Sequence, residues 1–226
     1  MEGTTLRLNT RKIVPKSLKE GIVINIPDRT LYFFKDGGLR AFPVGVGKGL
    51  DDRQTATGKF KIIKKRINPK WYVPKSIQIE AILQGKPVEE VVPPGPDNPL
   101  GRFALVTSIP GILIHETIWP KSVYRYRSHG CIRVLPEHME QLYQLVEVNT
   151  QGEIIYEPVK LAIAPDGRIY LEVRSDVYKR VTSLREHARK IIEAQGLSER
   201  VDWNHVERMV RTESGVAEDI SISSRK

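Results

Sequence analysis

Hydrophobic and polar positions alternate in short runs through the first two thirds of the chain. The runs "GIVINI" (21–26) and "TLYFF" (30–34) are rich in β-branched and aromatic residues, which favour strands. Pro27 and Asp28 supply a turn between them, and "KDGG" supplies a second turn before "LRAFPVGVG" (39–47). The pattern predicts a β-meander.

Further strands and helices are predicted along the chain. "TGKFKIIKK" (57–65) predicts another strand, and "FALVTS" with "GILIHE" predicts a hairpin around Pro110 and Gly111. "EIIYEP" and "VKLAIAPDGRIYLEV" (159–173) predict further strands, with "PDG" as a hairpin turn. The segment "PKSIQIEAILQG" (74–85) allows one short helix, and the spacing of apolar residues predicts a clear helix over "PEHMEQLYQLV" (136–146).

From about residue 182 the pattern becomes helical. "SLREHARKIIEAQG" predicts a helix that begins at an N-cap, Ser183, and ends at Gly196. "DWNHVERMVRTESG" repeats this design between Asp202 and Gly215. The last ten residues are polar and predict a frayed end, whereas "TTLRL" near the start predicts a short strand.

These elements predict a mainly β domain with one internal helix, followed by a small C-terminal helical appendage. The segment "KPVEEVVPPGPDNPLG" (86–101) is proline-rich, and strand patterns resume after it. We therefore expect a long ordered loop or lid there, and such loops on compact domains are often functional.

Composition narrows the class of protein. The chain is 40% hydrophobic and 28% charged, which is typical of a globular domain, and it has no run of 18 apolar residues that would cross a bilayer. The net charge of +9 indicates a polyanionic neighbour, either nucleic acid, an anionic membrane surface or an acidic wall polymer. No zinc-finger, RNA-recognition or basic-zipper pattern is present. The first residues also lack the pattern of a secretion signal.

The segment "YRSHGCIRV" (126–134) contains Cys131, the only cysteine in the chain. A lone cysteine cannot form an internal disulfide, and in isolation it is most often a small buried hydrophobic residue. A catalytic cysteine needs a nearby base or a positive potential. His129 lies two residues before it, and His115 ends the apolar run "GILIH". Both histidines are candidate bases.

Gly130 and Arg133 extend this constellation. A glycine beside the nucleophile permits a tight turn whose backbone N–H groups form an oxyanion hole. Arg133 adds positive potential that favours a thiolate, and its planar guanidinium suits a carboxylate. Zinc ligation by both histidines and the cysteine is the competing interpretation. The chain has no Cys-x-x-Cys, no His-Glu-x-x-His and no fourth ligand at a familiar spacing, so we expect no metal.

The residues "IHET" followed by "SHGCIRV" resemble the L,D-transpeptidase catalytic domain, the YkuD family. The resemblance covers about residues 20–160 and implies a β-sandwich or barrel. It divides the chain into segment 1–20, similar to the exit of an upstream wall-binding module, a catalytic domain (21–160) and a C-terminal hairpin with two helices (161–226). "INPKWYVP" and "VVPPGPDNPLG" are similar to the family's substrate-side loops, which implies substrate-binding roles for Trp71 and Asn98.

The family's mechanism implies a role for each site residue. Cys131 would attack the carbonyl before the terminal D-alanine of a peptidoglycan tetrapeptide stem, with His115 as general base. Backbone N–H groups around His129, Gly130 and Cys131 would hold the oxyanion. Substrate-binding roles fall to Arg133, which would anchor a carboxylate, and to Ser128, which would also brace the turn.

The same resemblance implies the cellular context. The acyl group would pass to an amine of a second stem or of an acceptor lipoprotein, in the periplasm or cell envelope. The resemblance implies no cofactor and no nucleic-acid partner, and it implies that carbapenem β-lactams acylate the cysteine. The expected role is cell-wall biogenesis and maintenance of cell shape.

Two positions depart from the family pattern, and several alternative functions stay open. The segment "TATG" (55–58) stands where the family more commonly has Thr-Pro-Thr-Gly. The family usually has His-Gly-Thr where this chain has His115-Glu116-Thr117. The same fold acting as a hydrolase of wall crosslinks or lipoprotein links has an identical motif. A non-catalytic wall-binding module does not need an intact Cys131. A papain-like or NlpC-type peptidase places its histidine after the cysteine, and His138, His187 and His205 all lie on predicted helices.

Overall fold

The computed structural model describes residues 11–15, 18–49 and 53–222. Contacts between these residues divide the chain into two compact units. The first unit lies within residues 18–155, and the second combines residues 11–15 with residues 156–222. Within the described ranges, no helix has both the length and the apolar character needed to span a bilayer.

The first unit is built on an antiparallel meander. Strands β1 (Gly21–Asn25), β2 (Thr30–Lys35) and β3 (Gly38–Gly47) follow one another with short turns, as the sequence predicts. The other strands of this unit are β4 (Gly58–Ile67), β5 (Trp71–Tyr72), β6 (Val91–Val92), β7 (Phe103–Thr107), β8 (Leu113–Glu116), β9 (Tyr126–Ser128), β10 (Ile132–Val134) and β11 (Gln151–Ile155).

Nine strands form one sheet in the order β10-β8-β7-β4-β11-β1-β2-β3-β9. Because β10 also pairs with β3, the sheet closes on itself as a barrel. The mainly β, barrel-type fold expected from the sequence is therefore confirmed. Apolar side chains from these strands fill the interior, and Ile22, Leu105, Ile114 and Ile132 are fully buried.

Two helices belong to this unit. Helix α1 (Lys75–Leu83) lies within the segment that connects β5 to β6, and helix α2 (Pro136–Leu145) follows β10 directly. Pro136 occupies the first turn of α2, where its missing N–H is not needed. Met139 and Leu142 form the buried face of α2, as the helical spacing predicts.

The second unit has its own core. Strands β12 (Val159–Ile163), β13 (Ile169–Val173) and β14 (Glu218–Asp219) form a three-stranded antiparallel sheet. Helices α3 (Leu184–Ala194) and α4 (Trp203–Thr212) pack against β12 and β13. The core that they share consists of Val159, Ile169, Leu171, Val173, Ala188, Ile192, Leu197, Val201, Val206, Met209 and Ile220. The C-terminal helices therefore pack on the sheet of their own unit.

Both predicted N-caps are confirmed, but the end of α4 is not where the sequence placed it. Ser183 Oγ accepts a hydrogen bond from the Glu186 N–H, and Asp202 accepts from the first turn of α4. Helix α4 ends at Thr212, and its C-cap is Glu213, which takes the left-handed conformation (φ 46°) expected of Gly215. Gly215 lies two residues later, also with a positive φ.

The prediction of a frayed C-terminus is wrong for residues 217–222. Ala217 and Ile220 are fully buried, and the Ile220 N–H donates to the Ile169 carbonyl oxygen at 2.8 Å. Two buried apolar side chains and backbone hydrogen bonds therefore hold an otherwise polar segment against the second unit. The predicted strand "TTLRL" (4–8) and residues 223–226 lie outside the described residues.

Candidate active site

The site lies along the parallel strands β8 and β10. Their register places Ile132 opposite Ile114 and Arg133 opposite His115. Side chains alternate between the two faces of a strand, and both isoleucines are fully buried in the barrel. His115 and Arg133 therefore share the other face. Cys131, two residues before Arg133, belongs to that face as well.

The imidazole of His115 has a defined orientation. Its Nδ1 lies 2.6 Å from the backbone carbonyl oxygen of Glu116, which can only accept a hydrogen bond. Nδ1 therefore carries the proton, and Nε2 keeps its lone pair. Burial lowers the pKa of His115 to about 4, although the hydrogen bond to Glu116 acts in the opposite direction. At neutral pH His115 is an uncharged base.

Cys131 rests as a thiol. Its Sγ donates a weak hydrogen bond to the Gly111 carbonyl oxygen at 3.4 Å. Burial raises the pKa of Cys131, against the smaller opposing effects of the Leu113 backbone N–H and the charge of Arg133. The expectation that Arg133 favours a thiolate has the right direction, but desolvation outweighs it. The resting pair is a neutral thiol and a neutral imidazole.

A short turn holds the cysteine in place. Gly130 has φ 109°, a conformation that L side chains rarely adopt. Ser128 Oγ donates to the Cys131 carbonyl oxygen at 2.6 Å and accepts from the Gly130 N–H at 3.2 Å. The structure thus places Ser128, expected to bind substrate and to brace the turn, inside the turn itself. The Gly130 N–H, expected to face an oxyanion, is engaged by Ser128 in this structure.

Thr55 fixes the same turn, and sequence reasoning missed it. Its Oγ1 donates to the Gly130 carbonyl oxygen and accepts from the Gly47 N–H, both at 2.9 Å. A Cβ at Gly47 would overlap the carbonyl oxygen of Arg53. Thr55 begins the "TATG" segment (55–58) just before β4, where no local pattern indicates contact with a turn 75 residues away.

Glu80, on helix α1, is a second residue that sequence reasoning missed. Its carboxylate oxygen lies 2.8 Å from His129 Nε2 and 3.5 Å from Arg53 Nη1. The hydrogen bond with His129 lowers the pKa of Glu80, so the carboxylate is ionised. His129 is therefore tied to Glu80 through Nε2. A residue 49 positions from its partner gives no local sequence signal.

The side chain of Glu116 is directed away from the base. Alternation along β8 places it on the face opposite His115. There it is buried, with Oε2 3.5 Å from Arg102 Nε. A Cβ at Gly101 would overlap this side chain. Glu116 thus contributes its backbone carbonyl to His115, whereas its side chain lies against Gly101 and Arg102.

The three other residues expected to bind substrate, Arg133, Trp71 and Asn98, each have different neighbours. The Arg133 guanidinium lies over the Trp119 ring, 5.1 Å from its centroid. Trp71 is half-buried in β5, opposite Val92 of β6. Asn98 is fully buried and uses its amide to hold its own loop. It donates to the carbonyl oxygens of Pro69, Val92 and Pro93 and accepts from the Leu100 N–H. With its amide engaged, Asn98 braces this loop, contrary to the expected contact with substrate.

Among the described residues, no group of three or more His, Cys, Asp or Glu side chains is placed to hold a metal ion. The register of β8 and β10 instead puts an imidazole and a guanidinium on one face, beside the glycine turn that precedes the thiol of Cys131. A thiol, a neutral imidazole and a turn with backbone N–H groups are the groups that a thiol-dependent acyl transfer requires.

Comparison with known proteins specifies the class. The family model of the L,D-transpeptidase catalytic domain (YkuD) matches residues 19–160, and the chain belongs to this family. The probable L,D-transpeptidase YbiS of Escherichia coli K12 is 35% identical over 177 residues, 76% of this chain and 56% of the relative. The probable L,D-transpeptidase ErfK/SrfK of E. coli K12 is 29% identical over 236 residues, 99% of this chain and 74% of the relative.

The chain thus spans 56% of the length of YbiS. Among solved structures, an L,D-transpeptidase from Mycobacterium smegmatis superposes with a TM-score of 0.46 at 24% identity, over 59% of this chain and 57% of that one. The resemblance noted from the His115 and Ser128–Arg133 segments is confirmed at the level of the family.

Proposed function

We propose that this chain is a peptidoglycan L,D-transpeptidase with Cys131 as its nucleophile. The observation that carries the proposal is the state of His115, which is uncharged, has its proton fixed on Nδ1, and shares a face with Cys131. A neutral thiol becomes a nucleophile when a base removes its proton during the attack. The substrate is a tetrapeptide stem that ends in a diaminoacyl residue and D-alanine.

Acylation proceeds in two steps. As Sγ bonds to the carbonyl carbon, its proton passes to Nε2 of His115. The oxyanion accepts a hydrogen bond from the Cys131 backbone N–H, which follows the Gly130 turn. The tetrahedral intermediate then collapses, the C–N bond breaks, and His115 gives its proton to the departing D-alanine. The product is a thioester on Cys131.

In deacylation His115 again acts first as a base and then as an acid. An acceptor amine, from a second stem or a lipoprotein lysine, attacks the thioester and gives a proton to His115. The C–S bond then breaks, and the proton returns to Sγ. Water in place of the amine makes the same site a hydrolase, so the acceptor decides between the two activities. We propose the periplasm or cell envelope as the location of this reaction, because its proposed substrate, peptidoglycan, is found there.

The first test is incubation of the folded protein with a carbapenem, followed by intact mass measurement. Attack by Cys131 on the β-lactam carbonyl opens the ring and forms a thioester. The mass of the protein then increases by the mass of the drug. Wild-type protein is expected to form one adduct, and Cys131→Ala is expected to form none. An adduct that persists in Cys131→Ala, or a folded wild type that forms none, refutes the nucleophile assignment.

The second test separates transfer from hydrolysis. The protein is supplied with a stem tetrapeptide, with and without a diaminoacyl acceptor, and released D-alanine and crosslinked product are measured. D-Alanine release coupled to crosslink formation supports the transpeptidase. Release of D-alanine at an equal rate without acceptor, with no crosslink, identifies the hydrolase.

A further inference from the structure

A strongly basic groove lies beside the nucleophile in the first unit. Its volume is about 800 Å³, within the range of small-ligand sites. Its lining consists of Lys48, Lys86, Lys121, Arg125, Arg127 and Arg133 with Trp119 and Ser122. Six of these eight residues are cations, and none is acidic.

The protein neutralises little of the positive charge of this groove, although Lys48 lies near enough to Glu80 to help lower the pKa of that carboxyl. Within the described ranges, none of the six cations forms an ion pair with a carboxylate. The basic residues of β4 are arranged differently, because they follow one another along the strand and none of them lines the groove. Like charges gathered in a concave surface repel one another and strengthen the local potential, so the groove favours a ligand that carries several negative charges.

The groove is connected to the reaction centre through Arg133. This residue lines the groove and also lowers the pKa of Cys131 by its charge, although burial dominates in the opposite direction. Lys48 follows the end of β3 and donates its backbone N–H to the Ser128 carbonyl oxygen at 3.1 Å. Both ends of the Ser128–Cys131 turn therefore border the basic lining.

We propose that this groove binds the side carboxylates of the donor stem and makes the enzyme selective for stems in which they are free acids. The inference rests on the proposed function, which supplies the stem as substrate. A stem of this class has a carboxyl group on its γ-linked glutamyl residue and on its diaminoacyl residue, besides the terminal one. Either side carboxyl can occur as a neutral amide. One arginine suffices for one carboxylate, whereas a lining of six cations can pair with all three carboxylates of a stem that keeps them as free acids.

The carboxylates of the donor stem supply the counter-charges that the groove needs, and complementary charges favour binding. Trp119 adds an aromatic wall to the groove, with the Arg133 guanidinium 5.1 Å from the centroid of its ring.

The test uses two synthetic tetrapeptide stems that differ only in whether the two side carboxyl groups are acids or amides. Calorimetry with Cys131→Ala measures binding without turnover. The free acid is expected to bind at least about 10-fold more tightly, as two charge-assisted hydrogen bonds provide. This advantage should shrink as NaCl rises, because added salt screens exposed charges.

Matched charge reversals locate the effect. Lys121, Arg125 and Arg127 are exposed, so replacing all three by glutamate leaves the core intact. Lys59, Lys61 and Lys64 are equally exposed on β4, and their reversal to glutamate changes the net charge by the same amount. The groove reversal is expected to abolish the preference for the free acid, and the β4 reversal is expected to retain it.

Binding tests the groove proposal, and turnover tests the proposed function. Equal affinity for the two stems, or equal loss in both triple variants, overturns the groove proposal even if turnover is normal. If neither stem is turned over but the acid still binds preferentially through the groove, the proposed function fails and the anion site stands. Stronger binding of inorganic tripolyphosphate than of the acid stem, in the same titration, overturns the assignment to carboxylates.

Discussion

Nδ1 of His115 and the backbone carbonyl oxygen of Glu116 lie 2.6 Å apart, in a buried hydrogen bond between adjacent residues. This contact needs no particular side chain at position 116, since every residue offers the same carbonyl. It explains how the chain accommodates glutamate where the family pattern has glycine. It also fixes which imidazole nitrogen can accept a proton, and the first predictions follow from that.

The rate of acylation should depend little on pH above about 5. Burial lowers the pKa of His115 to about 4, so the imidazole is an available base above that value and is protonated below it. The thiol stays protonated through neutral pH because burial raises the pKa of Cys131. The carbapenem acylation rate, measured from pH 4 to 8, should therefore fall only towards pH 4. A rate that already halves between pH 7 and pH 6 contradicts a base of this pKa.

His115 should also make stability depend on pH. Its folded-state pKa of about 4 lies below the ordinary value of 6.5, so the unfolded state binds more protons between these values. Stability therefore decreases as pH falls from 6.5 towards 4, by about 2 kcal/mol at pH 4.5 relative to pH 7. Denaturant unfolding of wild type and His115→Gln at both pH values isolates this contribution. A stability difference between the two proteins that does not change with pH refutes it.

Replacing the side chain of Glu116 should leave the chemistry intact. The carboxylate lies on the face opposite the base, beside Arg102, and His115 contacts only the backbone. For Glu116→Gln we expect an acylation rate within about 2-fold of wild type, since no reacting group is altered. His115→Gln is the matched comparison and should lower the rate about 100-fold or more, as loss of a general base does. A comparable loss in Glu116→Gln shows that the carboxylate acts on His115.

The strands, the helices and the family motif around Cys131 could be predicted from the sequence because they depend on local patterns. Alternating apolar residues in "GIVINI" and "GILIHE" specify strands whatever their partners are. The shared face of Cys131 and His115 depends on the register of β8 and β10. No local pattern specifies that register, so the residues alone left both His115 and His129 as candidate bases. The side-chain partners of His129 and Glu116 lie far along the chain and could not be predicted either.

The roles of two polar residues near the site could not be read from the sequence, for one physical reason. Asn98 and Ser128 are polar residues in loops near the site, and polarity alone does not tell whether an amide or hydroxyl faces substrate or backbone. The fold brings three carbonyl oxygens to the Asn98 amide and a backbone N–H to the Ser128 hydroxyl. Buried polar groups are nearly always satisfied in this way. Thr55 was missed for the same reason.

Thr55 should be needed for both stability and acylation. Thr55→Val preserves the shape of the side chain but leaves the Gly47 N–H and the Gly130 carbonyl oxygen without their partner. Two unsatisfied buried groups should lower the free energy of unfolding by roughly 2 to 4 kcal/mol. Thr55→Ser keeps the hydroxyl and is the matched control. Denaturant unfolding and carbapenem acylation should both recover in Thr55→Ser; failure to recover shows that the methyl group, rather than the hydrogen bonds, matters.

Glu80 should act as a positioning residue through His129. Its carboxylate holds His129 Nε2 at 2.8 Å, two residues from the nucleophile, and it links helix α1 to the Ser128–Cys131 turn. Glu80→Ala removes this link at an accessible position, so we expect little change in overall stability. The expected effect is an acylation rate about 3- to 10-fold lower, in line with the loss of one charge-assisted hydrogen bond.

Two comparisons separate positioning by Glu80 from a general charge effect. Glu80→Gln retains an oxygen acceptor for His129 and should recover most of the rate, whereas Glu89→Gln removes the same charge from an exposed position and should have no effect. Amide hydrogen exchange of α1 should accelerate in Glu80→Ala and not in Glu89→Gln, because only Glu80 links this helix to the turn. Faster exchange with an unchanged rate would assign Glu80 to the stability of α1 alone. A lower rate without faster exchange would place its effect on the turn itself, through the orientation of His129.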